Sequence, residues 1–193
     1  VGLTGMTDVQ YKGSTAAHPD LIANAWFNHA EIPNNGIDDD ANGYVDDHRG
    51  WNTNTGNDQV YGGSHGTQVA GMIGATGNND VGVVGANWNV KMMVVYNSGA
   101  NDAGVLASHS YPLTMRRLYN DTEGEKGAFV VATNASWGID NADPSDYPLW
   151  CAIYDTLGTA GVLNCGATAN NNVDVDVVGD MPTACSSDFM ISV

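Results

Sequence analysis

The sequence predicts an α/β fold, a mainly parallel sheet flanked by helices. Short, almost uninterrupted apolar runs alternate with longer segments of helical period, and that rhythm implies parallel strands joined by crossover helices. The runs lack the alternation of a half-solvated strand, as burial on both faces requires. With 193 residues, 42% of them hydrophobic, one domain with a sizeable core is expected.

Residues 90–96 (VKMMVVY) form the first such strand. A helix follows over about residues 103–119, with Leu106, Leu113 and Leu118 among its apolar positions and Pro112 starting or kinking it. Residues 128–133 (AFVVAT) read as a second buried strand, and 146–157 as a helix ended near Gly158 and Gly161. Residues 162–167 and 189–193 supply two further strands. The Asn/Asp/Gly-rich stretches 34–42, 52–59 and 170–176 read as loops. Ligand sites in such folds lie at the carboxyl ends of the strands.

Charge narrows the function. Six Lys and Arg face 22 Asp and Glu, a formal net charge of −16, which excludes nucleic acid and anionic membrane as partners. It suits bound cations and a secreted protein. No apolar run approaches the roughly 20 residues that span a bilayer. The first residues show no basic, apolar leader, so a signal peptide has been removed or the chain starts inside a longer protein. Of three cysteines, Cys165 reads as a buried thiol, while Cys151 and Cys185 lie near element ends and can pair in an oxidising compartment; spacing alone does not settle that pairing.

The chemistry gathers around His65-Gly66-Thr67-Gln68-Val69-Ala70-Gly71, a histidine at the mouth of a helix whose small residues admit close backbone approach. By itself His-Gly-Thr is an ordinary helix start, but an imidazole there is also a candidate general base. His18-Pro19-Asp20-Leu21 lies upstream and Gly82-Val83-Val84-Gly85 downstream. Asn134-Ala135-Ser136-Trp137-Gly138 then closes the second strand, and the run from Gly161 to Ala169-Asn170 closes the third. Four matches in this order resemble the subtilisin-like serine proteases, whose motifs read HPDL, HGTHVAG, N-x-S-x-G and A-A-G-N. The resemblance covers nearly all of the chain from His18 onward. It implies a three-layer subtilisin-like fold, with His65 as general base and acid and Asn170 as the neutral amide that donates to the oxyanion. Ser136, Trp137 and Gly138 would form the edge that pairs with a polypeptide substrate as an added strand.

Between the first two motifs, Asp38, Asp40 and Asn42 alternate as oxygen donors, Gly43 permits a sharp turn and Tyr44 can offer its carbonyl. This is the front half of an EF-hand-type calcium loop. Gly50 stands where the bidentate glutamate would be, so Asp46 or Asp47 has to close the shell. The expected ion is Ca²⁺, held in an insertion over residues 34–50.

The family pattern also breaks. Aligned on His18, the catalytic aspartate position carries Tyr11; Asp8 serves only with three extra residues before His18, and residues 6–10 are too polar for a central parallel strand. Gln68 replaces a second, non-catalytic histidine, and Ala169 a glycine. The nucleophile segment G-T-S-x-A-x-P occurs nowhere in the sequence. The expectation is therefore a partial catalytic domain, incomplete on its C-terminal side, completed by residues beyond Val193 and inactive by itself. A non-catalytic, protein-binding or calcium-binding extracellular domain is the alternative.

Overall fold

The computed structural model describes residues 18–60, 64–97 and 101–193. The chain falls into two compact units, Val1–Ser98 and Gly99–Val193. Both mix helices with parallel strand pairs, the α/β class that the sequence predicts.

In the first unit a 3-10 turn (Ile22–Asn24) precedes β1 (Trp51–Asn52), α1 (Ser64–Gly74) and β2 (Val95–Tyr96). β1 and β2 pair in parallel, Trp51 with Val95 and Asn52 with Tyr96. The expected strand over 90–96 is shortened to β2, for a physical reason: its partners change sides. The Met92 N–H donates to the Asn24 carbonyl and the Met92 carbonyl accepts from Trp26, whereas the Val94 carbonyl accepts from Trp51. No single partner runs beside it long enough for a regular ladder. Leu21, Ala25, Val60, Ala70, Ala75, Met92 and Val94 form the buried core. The buried stripe of α1 is Gly66, Ala70, Gly71 and Gly74, all small. A methyl group added at Gly74 would lie 2.5 Å from Val90 Cγ1 and 3.1 Å from Met92 Sδ, so the absent side chain is what lets that segment approach.

The second unit begins with α2 (Asp102–Asp121), capped by the Asn101 side chain, which accepts from the Gly104 N–H. Pro112 neither starts nor ends it; it is buried well inside. β3 (Ala132–Ala135), β4 (Ile139–Asp140), a 3-10 turn (Pro144–Asp146), α3 (Pro148–Thr159), β5 (Leu163–Gly166), α4 (Val175–Val178), β6 (Asp180–Met181) and β7 (Met190–Ser192) follow. α3 starts two residues later than the sequence suggests, at a proline, whose fixed φ suits a first helical position.

The strands β3, β5 and β7 form a parallel sheet in that order, with β5 central. The strand expected over 128–133 is displaced to Ala132–Ala135. Its apolar start is bound elsewhere: the Val130 N–H bonds back to Ala128, and the Val130 carbonyl accepts from Arg116. Trp150, Tyr154 and Leu157 of α3 are fully buried and meet Val105, Val162 and Met181 in the core. β4 and β6 make a two-residue antiparallel arm beyond the sheet, and Cys151 and Cys185 are disulfide-bonded. No helix among the described residues is long and apolar enough to cross a membrane.

Candidate active site and acidic loop

His65 is the second residue of α1 and is exposed. The loop that leaves this helix is held by Asp20, whose side chain is fully buried. Asn79 donates to Asp20 Oδ1 and the Val83 N–H to Oδ2, each at 2.8 Å, and the Thr76 N–H donates to the Asp20 carbonyl. The Asn79 and Val83 bonds hold the Asp20 carboxyl below the usual carboxylate range. The HPDL segment thus clamps the loop that leaves α1, and Gly85 packs its backbone on Gly74 and Ala75. Asp8 and Tyr11 lie outside the described residues, as does any contact they make.

In the second unit, 136–138 follow directly on β3, and Asn170 follows β5. These strands are parallel neighbours, joined beyond their ends by the Ala167 N–H to the Ala135 carbonyl. Both candidate segments therefore leave the carboxyl ends of adjacent strands, where α/β folds place ligands. Asn134 donates its side-chain amide to Ser136 Oγ. Gly138 lies against the Met181 carbonyl so closely that any Cβ would collide with it. Asn170 is exposed in a bend. Cys165, between Asn134 and Ile191 in register, is a free thiol of intermediate burial.

The acidic loop folds around a carboxylate that sequence reasoning missed. Glu31, Asp40 and Asp47 are all buried, and their ligand oxygens lie within 4.8 Å of one another. Asn28 donates its amide to both Asp40 and Asp47, at 2.9 and 2.8 Å, and Asn42 donates to Asp47 Oδ2 at 2.9 Å. Glu31 Oε1 accepts the N–H groups of Asp39 and Asp40, while Oε2 is buried with no hydrogen-bond partner among the described residues. Burial pushes the Glu31 and Asp40 carboxyls up, and neighbouring carboxylates add to the rise. Of the other expected ligands, Asp38 accepts from the N–H groups of Asn42 and Gly43, and Asp46 from those of Asn35 and Gly36. Tyr44 sets its ring edge-on to Trp51, 4.8 Å between centroids. The structure thus joins Asp40 and Asp47 to Glu31, and uses Asp38 and Asp46 to shape the turn. Glu31 had one sequence signal, an isolated acid just ahead of the loop.

The model of the subtilase family (Peptidase_S8) matches residues 11–192. Subtilisin-like protease 1 of Plasmodium falciparum is 48% identical over 82 residues, which are 40% of this chain and 12% of that protein. The Plasmodium vivax protein of the same name is 43% identical over 79 residues, again 40% of this chain and 12% of its own length. The chain thus matches only a small part of these relatives. A crystal structure of the epidermin leader peptide processing serine protease from Staphylococcus aureus superposes with a TM-score of 0.45 at 18% identity, covering 66% of this chain and 33% of that one. With HPDL, HGTQVAG and the segments bearing Ser136 and Asn170 inside a match of residues 11–192, the chain belongs to the subtilase family.

Proposed function

We propose that this chain is the histidine- and oxyanion-bearing part of a secreted serine endopeptidase that cleaves peptide bonds in polypeptides. The observation that carries the reading is the ordered set of motifs within the family match, with Asn170 and the 136–138 edge leaving adjacent strand ends. His65 takes the proton of the attacking serine and returns it to the leaving amine. The Asn170 amide donates to the oxygen on which negative charge develops, and it does so without titrating. The backbone of Ser136, Trp137 and Gly138 pairs with the substrate as an added strand. Asp8 is the candidate to hold the imidazole tautomer. The acylating serine is assigned to no residue of this sequence. A secreted setting is supported by the Cys151–Cys185 disulfide and the charge of −16.

The test is cleavage of an unfolded protein by the full natural polypeptide. His65→Ala is expected to abolish turnover, and Asn170→Ala to cut it by roughly 10²–10³, a magnitude taken from subtilisin itself. Unchanged cleavage by His65→Ala overturns the reading. The 193-residue chain alone should take up no fluorophosphonate probe, and stoichiometric labelling of one of its serines would refute the assignment.

The Glu31, Asp40 and Asp47 group fits a divalent cation. Three buried carboxylates need a counter-charge, and Glu31 Oε2 has no donor among the described residues. An all-oxygen donor set suits Ca²⁺, which would neutralise the loop and lock it to Asn28. Chelation should lower the melting temperature and Ca²⁺ should restore it, by about 3 kcal/mol of stability at a hundredfold excess over Kd. Melting that ignores both chelator and Ca²⁺ rejects the site.

A further inference from the structure

Trp137 is the central residue of the proposed substrate edge, yet its ring packs on the core of the second unit. It stands 5.8 Å from the Trp150 ring and 6.3 Å from the ring of His109, centroid to centroid. His109 belongs to α2 and is 5% exposed. Its ring meets Tyr154 edge-on at 5.2 Å, and its Nδ1 lies 2.9 Å from the Val105 carbonyl oxygen. A carbonyl only accepts, so Nδ1 carries the proton of the neutral ring. Trp150, fully buried, donates Nε1–H to the Tyr154 hydroxyl, which fixes the far side of the cluster.

His109 meets the Val105 carbonyl and Ser108 hydroxyl of α2, Tyr154 of α3, and Trp137. Tyr154 is the one other titratable group of this set, and burial pushes its phenol far above neutrality. None of these groups supplies a negative charge to a protonated imidazole. Burial accordingly holds the His109 ring below the ordinary histidine range.

We propose that His109 is a positioning residue for the substrate edge: its neutral ring seats Trp137 against Trp150, and protonation of His109 in acid releases that seat. This rests on the reading of 136–138 as the edge that takes substrate. The direction follows from linkage. A histidine kept neutral by burial favours the packed state above its unfolded value near 6.5. As pH falls below that value, any state in which the ring reaches water gains protons and population. Peptide binding at the edge then weakens in acid.

The experiment follows the Trp137 indole N–H resonance, assigned with Trp137→Phe, in the full chain. In wild type it should shift between pH 7 and about 5. His109→Phe keeps a ring but no proton site, and should abolish that response. His109→Ala should displace the resonance already at neutral pH. An N-acetylated tetra-alanine amide is then titrated in. It should move the backbone amide resonances of Ser136 and Gly138, with affinity about fivefold weaker in His109→Ala. A Trp137 resonance with the same pH response in His109→Phe as in wild type overturns the positioning role, and that variant decides even where His109→Ala fails to fold. A Trp137 that responds as expected while the peptide leaves Ser136 and Gly138 unmoved supports the hold of His109 and overturns the substrate-edge reading instead.

Discussion

Asn79 donates its side-chain amide to Asp20 Oδ1 at 2.8 Å across 59 residues of sequence, and with Val83 it makes Asp20 the anchor of the loop that leaves α1. A buried carboxylate that accepts such bonds contributes about 1.5–3 kcal/mol. Asp20→Asn keeps the shape and loses the charge, so melting should drop by roughly 3–10 °C at pH 7. The sign with pH is set by the lowered folded value of Asp20. Its contribution is complete above the unfolded value, about 3.9, and disappears as pH falls through the folded one. Urea midpoints of wild type and variant should therefore differ at pH 7 and draw together as pH falls below about 3.9; a gap that does not change with pH contradicts the anchor.

The helix bearing His65 makes a second prediction, from the contrast between two of its glycines. A methyl group at Gly71 would meet only Val83 Cγ2, at 3.8 Å, whereas one at Gly74 would press on Val90 and Met92. Gly71→Ala should be neutral or stabilising by up to about 1 kcal/mol, the usual gain of alanine over glycine in a helix. Gly74→Ala meets the same gain against an overpacking cost of about 1–3 kcal/mol, so its net effect is destabilising. Chemical denaturation of the two variants side by side checks the order; a Gly74→Ala protein as stable as Gly71→Ala shows that Val90 and Met92 yield freely.

Much of this was readable from local pattern. The apolar runs that became β5 and β7, the helical periods of α2 and α3, and the small-residue face of α1 all repeat at a fixed short spacing. What escaped depends on distant partners. β4 and β6 are two residues each, and Ile139 pairs with Met181 across 42 positions, without any local periodicity. The strand over 128–133 shifted because Arg116, on another element, takes the Val130 carbonyl. In the acidic loop the alternation of Asp38, Asp40 and Asn42 located the turn. It did not say which oxygens point inward, because that depends on Asn28 and on Glu31, which belong to the preceding segment.

The disulfide sets a third expectation. Cys151 and Cys185 are 34 positions apart, with their Cα atoms 5.2 Å from each other. Closing a loop of that length removes denatured-state entropy worth about 3–4 kcal/mol. Cys151→Ala with Cys185→Ala, or reduction of the native pair, should lower stability by about that amount. The measurement is the urea midpoint with and without reductant. A midpoint that reduction leaves unchanged shows that the bridge constrains nothing the folded state does not already hold.

Asn164, in the central strand β5, carries the last prediction. It is 1% exposed; Thr133 Oγ1 donates to its Oδ1 at 2.7 Å, and its amide donates to the Phe189 carbonyl at 3.2 Å. One polar side chain thereby links the segments on both sides of β5, inside an otherwise apolar run. Asn164→Leu leaves the Thr133 hydroxyl without its acceptor, at a cost of about 1–3 kcal/mol. Removing the hydroxyl as well, with Thr133→Val, takes away the group left unsatisfied. The double variant should therefore be more stable than the sum of the single effects, by about 0.5–1.5 kcal/mol in a double-mutant cycle. Strict additivity would assign the cost of Asn164→Leu to packing alone, and the bond between β3 and β5 would then add nothing to the pairing of their backbones.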